Sequence, residues 1–132
     1  MVYLLDTNII SDVAHNPAGP VGKRLSEIDP AEIVSSVVVA AEVWYGVENN
    51  PSVRSRDRTE AFMKTVNVLA MEPEVARTYG KLRAELKRAG SELGPNDLLI
   101  AAHTMSLGAT LVTGDDRAFS RVPGLKIENW LR

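Results

Sequence analysis

Apolar and polar positions along the chain alternate between two periods. Val2–Leu5 is a short apolar run that ends at Asp6 and reads as a strand. Ile9, Ile10, Val13 and Ala14 then recur at helical spacing, with Thr7 or Asn8 able to cap the helix and His15-Asn16-Pro17 to stop it. A second helix is predicted from about Gly19 to Ile28 on Val21, Leu25 and Ile28, before an Asp29-Pro30 turn. Glu32–Val38 reads as a buried strand, and from Ala40 the pattern is helical through Glu48. Arg54 to Val66 is an amphipathic helix with Ala61, Phe62 and Val66 inward. Asn67–Met71 is a strand, and Pro73 to Arg88 a long helix with Val75, Ala76, Tyr79, Leu82 and Leu86 on one side. After Gly94-Pro95 comes a helix that is apolar on most sides and closes at Gly108, so it is buried. Ala109–Thr113 is a strand, Gly114-Asp115-Asp116 a loop, Arg117–Ser120 a helical turn and Leu125–Ile127 a last strand. Strands alternating with helices predict an α/β fold: one domain over residues 1–132, a three-layer α/β/α sandwich around a mainly parallel sheet.

Four carboxylates interrupt this pattern at comparable points. Asp6 and Asp115 follow strands, Asp97 heads the apolar helix, and Glu42 lies about one turn into the helix after the second strand. Ligands of open parallel sheets bind beyond the carboxyl ends of the strands, and all four acids fall towards that rim. Each has an ordinary explanation: Asp6 and Asp97 as helix caps, Asp115 as a turn residue, Glu42 as half of a buried ion pair. Glu42 fits its explanation least. Its neighbours are Val38, Val39, Tyr45 and Gly46, which predicts burial, and its helix has no basic residue to pair with it.

Composition narrows the chemistry. The chain has no Cys and only two His, so thiolate and zinc sites are out of reach. No apolar run approaches the ~20 residues of a membrane span, and no basic-then-apolar leader opens the chain, so a cytoplasmic protein is expected. The formal charge of −2 does not announce a nucleic-acid binder, but local basic clusters matter more than the total. Gathered carboxylates repel one another unless cations neutralise them, and an all-oxygen donor set suits Mg²⁺ or Mn²⁺. Two such ions about 4 Å apart support in-line displacement at a phosphodiester. The expected reaction is phosphodiester hydrolysis by a metal-activated water, with no covalent intermediate.

Taken in order, Leu5-Asp6-Thr7-Asn8, Ala41-Glu42-Val43-Trp44-Tyr45-Gly46, Asn96-Asp97-Leu98-Leu99-Ile100-Ala101-Ala102 and Leu111-Val112-Thr113-Gly114-Asp115-Asp116-Arg117-Ala118-Phe119 resemble the PIN domain, in particular the VapC toxin ribonucleases of bacterial toxin–antitoxin pairs. The resemblance covers nearly the whole chain. It implies a magnesium-dependent endoribonuclease, commonly a homodimer, held inactive by a cognate antitoxin. It places the catalytic, metal-holding acids on Asp6, Glu42, Asp97 and Asp115, adds Asp116 as a fifth candidate, and assigns supporting hydroxyls to Thr7 and Thr113. An antitoxin segment would lie in a groove of the first two helices and the Arg54 helix, with an Arg entering the acidic pocket. Arg54, Arg56, Arg58 and Lys64, and Arg77, Lys81, Arg83, Lys87 and Arg88, are solvated helix faces or contacts for RNA phosphates. Trp44 and Tyr45 are core, interface or base-stacking residues. The other readings are a DNA or structure-specific nuclease, a non-cleaving RNA- or protein-binding domain, and a phospho-acceptor domain. The last normally carries paired acids after its first strand, whereas Leu5 and Thr7 flank Asp6 here.

Overall fold

The computed structural model describes residues 1–132. Its elements follow the predicted order: β1 (Tyr3–Leu5), α1 (Thr7–His15), α2 (Pro20–Ser26), a single 3-10 turn (Pro30–Glu32), β2 (Ile33–Ser36), α3 (Val37–Glu48), α4 (Val53–Met63), β3 (Asn67–Leu69), α5 (Pro73–Arg88), α6 (Pro95–Ser106), β4 (Thr110–Val112), α7 (Asp116–Phe119) and β5 (Lys126–Glu128). The strands form one sheet in the order β3-β2-β1-β4-β5, and every neighbouring pair is parallel.

This order locates the site. From β1 the chain steps outward to β2 and β3, then returns to lay β4 on the other side of β1. Crossovers between parallel strands are nearly always right-handed. Helices of the outward run, α1 to α4, therefore cover one face, and α5 and α6 of the return cover the other. The contacts agree: α1 packs on α2, α3 and α4, and α5 packs on α6. The order reverses between β1 and β4, which opens a crevice beyond their carboxyl ends. β1 and β4 are buried at every residue, as strands covered on both faces must be. Leu4, Leu5, Ile9, Ile10, Ile100, Leu111, Val112 and Phe119 form the centre of the core.

Among the departures from the sequence reading, one is a strand end and two are the inward faces of helices. The strand expected over Glu32–Val38 ends at Ser36, because the Ser36 hydroxyl accepts from the Val38 N–H and starts α3 at Val37. A run of Val residues suits either element, and the cap decides. The inward face of α4 is Thr59 and Met63, with Phe62 half-buried and Ala61 exposed. Thr59 is tolerated inside because its hydroxyl donates to the Ser55 carbonyl. On α5, Val75, Leu82 and Leu86 are buried and Tyr79 is half-buried, but Ala76 faces solvent.

Candidate active site

Asp6 is the fixed point of the crevice. Its backbone N–H donates to the Val112 carbonyl at 2.9 Å, clamping the end of β1 to β4. Its side chain caps α1, with Oδ1 accepting from the Thr7 N–H at 2.8 Å. Oδ2 accepts from the Thr113 hydroxyl, also at 2.8 Å. Only 5% of Asp6 is exposed. The cap expected for this residue is thus real, and it aims the carboxylate into the crevice.

Thr113 carries the order one step further. Its proton goes to Asp6, and its oxygen accepts from the Asp115 N–H at 3.0 Å. Asp115 is thereby held beside Asp6, while its own carboxylate caps the short α7 through the Ala118 N–H. The intervening Gly114 donates to Asn8 Oδ1 at 2.9 Å. A Cβ here would meet Leu131 Cδ1 at 2.7 Å and Asn8 Cγ at 3.4 Å, so a larger residue would have to turn the end of the Leu131 side chain aside.

Glu42 arrives from α3, where Oε1 accepts the Thr7 hydroxyl at 2.8 Å. Thr7 therefore serves two acids, Asp6 through its backbone and Glu42 through its side chain. The expectation that Glu42 is buried is corrected: it is half-buried, because Ala41, Tyr45 and Gly46 on its side of α3 are open to solvent. Beneath it, the Ser35 hydroxyl donates to the Leu5 carbonyl and joins β2 to β1. Asp97 sits in the first turn of α6, half-buried. The capping explanation fails for it: the cap position is Gly94, and the Asp97 carboxylate is engaged in no hydrogen bond or ion pair.

The charges feel one another. Burial holds the Asp97 carboxyl above its ordinary value of 3.8, and Asp6, Glu42 and Asp115 add to the shift. Burial likewise raises Asp6; the bonds from Thr113 and Thr7 oppose this, and the charges of Glu42 and Asp115 reinforce it. Four acids from distant parts of the chain thus share one field. None belongs to the molecule's ion pairs, which are Met1–Glu32, Arg24–Glu27, Arg24–Glu128 and Arg132–Asp116. Asp116 stands apart, its carboxylate engaged by Arg132 at 3.1 and 3.2 Å.

The donor set is all oxygen and uncompensated, which fits a hard divalent cation. No three of these side chains close into a cage. Mg²⁺ takes one or two protein carboxylates and keeps several waters, so a cation here would be held by fewer than three of these acids. Trp44 and Tyr45 are not core: they are 42% and 71% exposed on α3. Arg54 and Arg58 on α4, Lys64 at its C-cap, and the basic residues of α5 are exposed; Arg56 is half-buried.

The sequence reading did not anticipate the buried pair Ser36–His103, whose hydroxyl and Nδ1 lie 2.9 Å apart. It joins the cap of α3, the Glu42 helix, to α6, the Asp97 helix. A lone His inside an otherwise apolar helix was its one visible sign.

Comparison with known proteins gives the same assignment. The PIN domain family matches residues 3–125. Ribonuclease VapC2 of Haemophilus influenzae is 36% identical over 130 residues, covering 98% of both chains. The tRNA(fMet)-specific endonuclease VapC of Shigella flexneri is 35% identical over 97% of both. Among solved structures, VapBC2 from Rickettsia felis bound to a promoter DNA fragment superposes with a TM-score of 0.90 at 32% identity, over 98% of this chain and 99% of that one. VapBC-1 of nontypeable H. influenzae gives 0.86 at 33% identity over the whole of both chains. The chain belongs to the PIN-domain family and, within it, to the VapC group.

Proposed function

We propose that this chain is an endoribonuclease that hydrolyses RNA phosphodiester bonds with Mg²⁺ or Mn²⁺, and that it acts in the cytoplasm as the toxin of a toxin–antitoxin pair. The observation that supports this most is the meeting of Asp6, Glu42, Asp97 and Asp115 at the switch point of the sheet with no basic side chain paired to any of them. A cation held by Asp6 and Asp97, with Glu42 and Asp115 beside it, would supply positive charge to the phosphate oxygens and acidity to the attacking water.

The protein's own groups divide the remaining work. Asp6 is locked by two donors and cannot swing, which sets the geometry of the pocket. Asp97 has no such tether and adjusts to what it binds. Glu42 is tied through Oε1 only, leaving Oε2 to orient a water or take its proton. Thr7 and Thr113 direct their protons to Glu42 and Asp6, so they position acids and do not donate to substrate.

The partner is an antitoxin, by analogy with relatives solved as VapBC complexes. A second copy of the chain is the natural cover for the exposed Trp44 and Tyr45. Relatives named for tRNA(fMet) make initiator tRNA the substrate to try first.

The test is cleavage of matched RNA and DNA, with Mg²⁺ and with EDTA, by wild type and Asp97→Asn. RNA cut only with metal, and not by the variant, is the expected result. Equal cutting of DNA would make the protein a general nuclease. RNA bound but left intact by metal-loaded wild type would make it a binding domain.

A further inference from the structure

The acid cluster shares a wall with a second cavity. About 150 Å³ of space lies between α1, α3 and α4, lined by Thr7 and Glu42 of the cluster together with His15, Gly46, Asn50 and Arg56. Arg56 is half-buried there, and its guanidinium, with five N–H donors, forms no ion pair and no hydrogen bond. It lines the same cavity as Glu42 without reaching salt-bridge distance of it.

The other polar groups of the wall are occupied with one another. His15 Nδ1–H donates to the Ser11 carbonyl at 2.8 Å, and Nε2 pairs with the Ser55 hydroxyl at 2.6 Å. Asn50 Nδ2 donates to the same Ser55 oxygen at 2.8 Å. This network ties α1 to α4 and leaves Arg56 as the cavity's one cation with free donors. Gly46 adds no side chain to this wall, and a Cβ built there meets nothing within 4 Å.

We infer that this cavity is a subsite for an RNA phosphate next to the one hydrolysed, with Arg56 as its anchor. The inference rests on the ribonuclease reading. Four carboxylates repel a polyanion, and a cation alongside them both offsets that repulsion and sets the register of the strand. A planar guanidinium takes a phosphate through two parallel hydrogen bonds, which a lysine does not reproduce. The competing role for Arg56 is a distant counter-charge to Glu42, which would act on metal affinity instead of RNA.

The experiment is fluorescence anisotropy with an RNA oligomer in EDTA, where no metal is available for cleavage, on wild type, Arg56→Gln, Arg56→Lys and Gly46→Leu. Gly46→Leu adds bulk to the cavity wall without changing a charge, and leucine suits a helix better than glycine. Expected are losses of about tenfold or more in affinity for Arg56→Gln and Gly46→Leu, partial recovery in Arg56→Lys, and Mn²⁺ affinity unchanged in the two Arg56 variants. The slope of log affinity against log salt should fall by roughly 0.7 in Arg56→Gln, the value for one single-strand phosphate contact. Arg56→Gln binding within twofold of a wild type that does cleave RNA would overturn the subsite alone. So would a silent Gly46→Leu beside an Arg56→Gln variant with altered Mn²⁺ affinity. A wild type that neither binds nor cuts RNA would remove the ribonuclease reading, and the subsite with it.

Discussion

At the scale of single residues, the site is an arrangement that folding alone would not favour. Asp6 and Asp97 have carboxyl groups raised above 3.8, chiefly by burial and then by their neighbours' charges. Between 3.8 and the raised values, the native state binds a proton that the unfolded state has released. Stability without metal therefore falls as pH rises through that window and is regained as pH drops back. The melting temperature in EDTA should increase as the pH is lowered through that window towards 3.8, and saturating Mg²⁺ should flatten the dependence by neutralising the ionised pair. Asp97→Asn removes a charge and leaves no hydrogen bond orphaned. It should melt higher than wild type in EDTA, lose that advantage in Mg²⁺, and lose RNA cleavage. Thr113→Val should behave oppositely. It strips Asp6 of a donor and the Asp115 N–H of an acceptor in a buried place, at about 1–3 kcal/mol in a urea melt.

Among the elements, the helices that deliver the acids are joined by one polar contact. Ser36 caps α3 and meets His103 of α6. Burial lowers the pKa of His103, so it is the neutral ring that pairs with the hydroxyl. Ser36→Ala removes a cap and leaves a buried ring nitrogen unpaired, and urea denaturation should show a loss of about 1–2 kcal/mol. This contact also marks the limit of what the sequence discloses. Elements with a strong period, such as α1 on Ile9, Ile10 and Val13 or α6 on its apolar run, are readable because burial alone fixes them. The end of β2 is not, since Val37, Val38 and Val39 suit strand and helix equally and a side-chain cap makes the choice. Nor is the inward face of α4, where Thr59 is buried by virtue of a bond to its own helix. The acids were legible as a set because each falls at the same rim of an alternating fold. Their tethers were not: Thr7 to Glu42 spans 35 positions and Thr113 to Asp6 spans 107, and no local pattern encodes such pairs.

For the whole molecule, the parallel order β3-β2-β1-β4-β5 converts residues 6, 42, 97 and 115 into neighbours, and charge then governs what can approach. The exposed basic faces of α4 and α5 lie outside an acidic pocket in a chain of net charge −2. If they steer RNA, cleavage at subsaturating RNA should drop steeply between 50 and 300 mM KCl, and rates indifferent to salt would remove them from the path of the substrate. Trp44 and Tyr45 predict self-association: Tyr45→Glu should shift the protein towards monomer in analytical ultracentrifugation, and an unchanged profile would leave that face to another partner. All of this depends on the carboxylates being gathered to hold a cation. Calorimetric titration of Mn²⁺ into wild type and Asp97→Asn tests that most directly. The structure predicts saturable uptake by wild type that weakens at least tenfold in the variant; no uptake, or equal uptake by both, would contradict it.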